Sequence, residues 1–275
     1  MFKLLKLLLA LAIGYILLTP PAEAGTAPLQ GLFSLDDSRG WEGVGRVNIG
    51  TRAFCTGALV AENLVLTAAH CMFDHDTGKR VDEGEIEFLA GWRSGRASAY
   101  RGVRRVIVHP DYVYATDRLE QRVRYDLALL ELDQPIRSRA IRPFAVAAQP
   151  AKGAQVGVVS YAFDRADRPS LQQGCKVLAR QSGALVMSCN VDFGSSGAPV
   201  FVYRNGQPQI VSVVSAKAMA RDIPVSLGTS LQQPLADMMA MLAASDGVFS
   251  RPRQAVRILS PQGNTAASGA KFVRP

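Results

Sequence analysis

Between Trp41 and Ala216 the chain is a succession of short β-type runs separated by turn residues. They read VGRVNIG, AFCTGALV, NLVLT, IEFLAG and VRRVIVH, then QVGVVSYA, CKVLAR, ALVMSC, APVFVY and QIVSVVSA. Runs of this length and spacing predict antiparallel sandwiches or barrels. No long helical pattern separates them, which argues against β-α-β units and a parallel sheet, so the fold class is all-β. A polar, proline-bearing stretch at about 133–153 divides the region into two halves of about 100 residues each, an ordinary domain size. There is no internal repeat. One helix is expected near the end: Gln233 can cap, Pro234 sits in the first turn, and Leu235, Met238, Met239 and Leu242 follow helical spacing until Gly247.

Residues 1–24 differ in kind. Lys3 and Lys6 precede an apolar run from Leu7 to Leu18, and prolines lead to Ala22-Glu23-Ala24. This order is that of a secretory signal, and the run is shorter than the roughly 20 residues of a spanning helix. The expectation is cleavage after Ala24, no stable membrane anchor, and a secreted or periplasmic product in an oxidising compartment. There the four cysteines pair as two disulfides.

The formal charge is +8. Lys3, Lys6 and Glu23 carry one net positive charge between them, leaving +7 after cleavage; Arg251, Arg253, Arg257, Lys271 and Arg274 carry five more, leaving the body only +2. The basicity belongs to a proline- and glycine-bearing tail at 249–275, read as solvated and flexible, not as a nucleic-acid site. The segments are then a signal at 1–24, an N-terminal segment at 25–40, a first β unit at 41–140, a second with its helix at 141–248, and the tail.

Three histidines are present. His70 follows an apolar strand and two small alanines in LTAAHC, where an imidazole can be held rigidly within reach of a hydroxyl. In YDLALLEL, Asp126 opens an otherwise apolar strand, and a carboxylate so placed needs a fixed partner. In FGSSGAPV, glycines let the chain turn sharply and bring backbone N–H groups towards a substrate carbonyl. Each segment alone has a structural explanation: a core histidine, a turn aspartate, a Gly-Ser turn. The three together, in the order His, Asp, Ser, point to acyl-transfer chemistry. His109 reads as a structural strand end. His75 with Asp74, Asp76 and the following VDEGEIE reads as a solvated acidic surface in preference to a calcium loop, whose spacing it does not match.

TAAHC, DLALL and GSSGAP in this order resemble the chymotrypsin-like (trypsin-fold) serine proteases, with their TAAHC, D-I/L-A-L-L and G-D-S-G-G/A-P segments, over about residues 41–245. The resemblance implies two six-stranded antiparallel Greek-key β-barrels with a C-terminal helix and the site between them. It implies His70 as general base, Asp126 as its orienting acid, Ser196 as nucleophile, and the N–H groups of Gly194 and Ser196 as oxyanion hole. It also implies the bridges Cys55–Cys71 and Cys175–Cys189, although the residues alone leave the two other pairings open. Asn190, Asp192, Ser215 and Lys217 fall at substrate-pocket positions, and Asn190 in place of an aspartate does not support a basic residue on the acyl side. The expected protein is a monomeric secreted serine endopeptidase acting on protein or peptide substrates, without cofactor or metal. A catalytically silent binding protein and an ester hydrolase are its rivals. Ser195 stands where animal members carry the aspartate that pairs with a new N-terminal ammonium, and no R-I-V-G-G-like activation site precedes Cys55. In this the chain is more similar to bacterial members of the glutamyl endopeptidase type, with G-N-S-G-S/G-P.

Overall fold

The computed structural model describes residues 27–51 and 53–245. The expected signal at 1–24, the tail at 249–275 and the helix end at Gly247 lie outside them.

The first barrel is built from β2 (Val44–Ile49), β3 (Ala53–Ala61), β4 (Leu64–Thr67), β5 (Ile86–Ala90), β6 (Ala99–Val108) and β7 (Ala128–Leu132), closed in the order β2-β3-β4-β7-β6-β5. All pairings are antiparallel. Every residue of β4 and β7 is buried, which explains why NLVLT and YDLALLEL read as almost unbroken apolar runs. Glu131 is the exception in β7, and Arg104 and Arg105 of neighbouring β6 hold its carboxylate. Leu59, Leu66, Phe88, Leu129 and Leu130 fill the interior, each stabilising by about 1.5–3 kcal/mol on removal from water.

The second barrel comprises β8 (Gln155–Ser160), β9 (Ser170–Gln181), β10 (Ala184–Met187), β11 (Pro199–Arg204), β12 (Gln207–Ala220) and β13 (Ile223–Ser230). It runs β9-β10-β13-β12-β11-β8 and closes through β8–β9. A two-residue β1 (Gln30–Gly31) adds to β9. Val156, Val158, Val177, Leu185, Met187, Val200 and Val211 form its core. The chain therefore has the two closed six-stranded antiparallel barrels that its motifs imply.

Among the described residues two α-helices accompany the barrels. The six-residue α1 (Leu119–Arg124) ends two residues before Asp126 and went unread in the sequence. The C-terminal α2 (Gln232–Ser245) begins one residue ahead of the expected cap. Its buried face holds Pro234, Met238 and Leu242 with Leu235 half-buried, whereas Met239, expected on that face, is 41% exposed. Met239 follows Met238 by one residue and so by about 100° of helix rotation, which turns it to solvent.

Candidate active site

β4 ends at Thr67, and Ala68 carries the chain into a single 3-10 turn, Ala69–Met72. Ala68 and Ala69 are fully buried, so only small side chains fit where the turn packs. The Cys55–Cys71 disulfide ties this turn to β3, and Cys175–Cys189 ties β9 to the segment ahead of Asn190. Loops of this size gain about 2–4 kcal/mol from closure.

Asp126 is 2% exposed and grips the turn at two points. Its Oδ1 accepts the His70 backbone N–H at 2.8 Å, and its Oδ2 lies 2.7 Å from His70 Nδ1. The Ser215 hydroxyl donates to the same Oδ2 at 2.5 Å, a partnership the sequence reading did not assign. Burial opposes a charge on His70, but the Asp126 carboxylate and its hydrogen bond outweigh it and raise the imidazole above its ordinary value; Arg122 pulls slightly the other way. The carboxylate fixes Nδ1 as the protonated nitrogen of the neutral ring, which leaves Nε2 as an acceptor.

Across the cleft, residues 192–198 form the loop entering β11. Gly194 has φ +92°, and a Cβ there would lie 2.5 Å from the Phe54 ring; Gly197 has φ +80°, and a Cβ there would lie 2.2 Å from the Thr56 carbonyl. Only glycine meets both demands. Thr56 of β3 anchors the loop: its N–H donates to Ser196 O at 2.8 Å and its hydroxyl to Gly194 O at 2.8 Å. The Gly197 N–H donates to Val214 O. Among the described residues the N–H groups of Gly194 and Ser196 find no acceptor, and Ser196 Oγ makes no hydrogen bond to His70.

Ser195 is completely buried. Its hydroxyl donates to Tyr161 O at 3.2 Å and accepts from the Asp192 N–H at 3.3 Å and Arg165 Nη2 at 3.4 Å. Arg165 also reaches Ser160 Oγ and Asp164, and the Phe163 N–H donates to Phe193 O at 2.8 Å. The 3-10 turn Phe163–Arg165 thereby holds the loop from behind.

Of the remaining substrate-pocket positions, Asn190 is exposed, with its N–H on the buried Gln172 side chain at 2.7 Å. Lys217 Nζ stands 3.9 Å from Asp192 Oδ1, both half-exposed. Asp74 caps its own turn through Thr77, and His75 and Asp76 are almost wholly exposed. His109, by contrast, is 2% exposed; it stacks on Tyr125 and accepts the Asp111 N–H.

A pair of β-barrels with a carboxylate-held histidine facing a glycine-turned serine loop defines a class of hydrolase scaffold. The family described as Trypsin matches residues 35–226, well over half of the chain, and the chain belongs to the trypsin family of serine proteases. Serine protease 23 of Rattus norvegicus is 30% identical over 173 residues, covering 56% of this chain and 44% of that protein. Serine proteinase stubble of Drosophila melanogaster is 37% identical over 83 residues, 30% of this chain and 10% of that protein. The chain thus spans less than half the length of these curated relatives. Among solved structures it is similar to a Glu endopeptidase in complex with MPD, at TM-score 0.63 and 18% identity over 78% of this chain and 97% of that one. It is also similar to a thermostable serine protease from an extremophilic microorganism, at TM-score 0.59 and 17% identity over 74% and 98%. These two share its fold. No helix among the described residues is long and apolar enough to cross a membrane.

Proposed function

We propose that this protein is a secreted or periplasmic serine endopeptidase in which Ser196 is the nucleophile, His70 the general base and Asp126 the acid that orients it. The observation carrying this reading is the meeting of an imidazole fixed at Nδ1 by a buried carboxylate with a serine loop that leaves the Gly194 and Ser196 N–H groups unpaired. Ser196 Oγ attacks the peptide carbonyl while His70 Nε2 takes its proton; the oxyanion of the tetrahedral intermediate accepts the two N–H groups. His70 then returns the proton to the leaving amine, and a water activated by the same nitrogen hydrolyses the acyl-enzyme. The serine–histidine hydrogen bond, missing in the free site, is of the kind that tightens on substrate binding.

The mature fold is competent without an N-terminal ion pair, in the manner of bacterial members of the glutamyl endopeptidase type. The support is Ser195: a hydroxyl cannot pair with an ammonium, and its donors and acceptors are already filled by Tyr161, Asp192 and Arg165. The test is digestion of an unfolded protein, with fragments read by mass spectrometry. Internal cleavages by the wild type and none by Ser196→Ala are expected; fragments from both proteins alike, or from neither, would sink the proposal.

A further inference from the structure

Several cations border the cleft, and among the described residues four of them have partners. Lys217 faces Asp192 at 3.9 Å; Arg165 bonds Asp164 and two serines; Arg46 lies 4.2 Å over the Phe54 ring; Arg80 donates to Val106 O. Arg122 and Lys79 have no carboxylate or ring partner among the described residues, and of the two only Arg122, its backbone bound within α1, also borders the small cavity at His70 and Ser215. Its side chain is exposed, but its backbone is fixed. Next to it Val123 is buried, and the Val123 carbonyl accepts the Thr229 hydroxyl of β13 at 2.7 Å, so α1 is fastened to the second barrel.

Arg122 borders a cavity of about 40 Å³ that also touches His70, Tyr112, Asp126 and Ser215. A water in the liquid occupies about 30 Å³, so the space admits only the head of a short side chain. The positive charge also works against the imidazolium that His70 must become during turnover. The carboxylate on this cavity, Asp126, is already taken up by His70 and Ser215, which leaves the Arg122 guanidinium to an acid that the substrate supplies.

The direction of the substrate chain follows from β12. Its pairing with β11 stops at Val213, whereas its pairing with β13 continues to Ala220. From Ser215 onward one edge of β12 is therefore open to an added strand. A peptide whose acyl carbonyl lies at the Gly194 and Ser196 N–H groups, and whose preceding residues follow this edge, brings the residue before the acyl residue against His70 and Ser215, facing α1. We infer that Arg122 determines specificity at that position by binding a short acidic side chain, aspartate, through its planar two-pronged donor face. This rests on the protease reading above.

The test uses peptides with Asp, Ala or Lys at that position and an equimolar mixture at the acyl residue. Turnover is measured with the active protein and binding, by fluorescence anisotropy, with Ser196→Ala. Asp is expected to be favoured over Lys by about tenfold or more in both, as for a charge-assisted contact at a half-open site. Arg122→Ala should bring the Asp and Lys peptides to within about twofold of each other, and Arg122→Glu should reverse the order, an inversion that a purely structural residue would not give. Turnover without discrimination, or discrimination that survives in Arg122→Ala, overturns the inference and leaves the protease reading standing. Discrimination in binding that depends on Arg122 but comes without turnover supports the recognition of an acidic side chain by Arg122, in a peptide-binding protein, and removes the protease reading. Absence of both turnover and discrimination removes both.

Discussion

The two sides of the cleft are held in different ways. On the first-barrel side His70 is fixed by its own backbone N–H and its ring on one carboxylate, and that carboxylate by Ser215 from the second barrel. On the serine side the loop's carbonyls are taken up by Thr56, but among the described residues two of its N–H groups have no acceptor. An unpaired, partly buried donor costs about 1–3 kcal/mol. In the proposed mechanism the difference separates what is organised before substrate from what waits for it: the base is oriented in advance, while the oxyanion donors are completed by the charge that develops in the transition state.

Breaking the first side should have the largest effect. Asp126→Asn replaces an acceptor-only carboxylate by an amide that can hold the wrong tautomer, and kcat is expected to fall by about 10⁴. Steady-state kinetics checks this, and a loss under about tenfold would mean that the dyad is not what orients the base. A smaller effect is expected on the serine side. Arg165→Met removes the cation behind Ser195 and should lower kcat by about tenfold with KM within about twofold, since the oxyanion is bound in the transition state alone. An unchanged kcat would show that the loop holds itself.

The smallest change comes from pH. If His70 is the general base, as proposed, only its neutral form can accept the serine proton, and its folded value is raised above 6.5, so kcat/KM should rise with pH to a midpoint above 6.5. The same shift adds stability that is complete below about pH 6.5 and is lost as pH rises through the folded value. His109 has the opposite sign: burial lowers it, so its contribution is lost as pH falls through its folded value. Paired kinetic and thermal-melting profiles separate the two, and a kinetic midpoint below 6.5 would contradict the Asp126 assignment.

The strands were legible where their side chains alternate or run apolar, which is most of both barrels. β13 was not read, because Pro224, Gly228 and its serines weaken the β signal; it is made a strand by pairing with β10 and β12. α1 escaped because six residues with one buried side chain, Val123, carry no helical period. His70, Asp126 and Ser196 stand in local motifs that a sequence can display. Their supports are not local. Ser215 lies 89 residues from Asp126, Thr56 138 from Gly194, and Arg165 30 from Ser195, and only folding brings a lone threonine or arginine to such a partner.

The central claim is that nucleophile, base and oxyanion donors assemble in the chain as it folds. The intact mass of the purified, disulfide-bonded protein after exposure to a fluorophosphonate tests it most directly, with Ser196→Ala as control. A single adduct on the wild type and none on Ser196→Ala is the predicted result. A wild type that stays unlabelled until its chain is cut near the N-terminus, or that never labels at all, would contradict it.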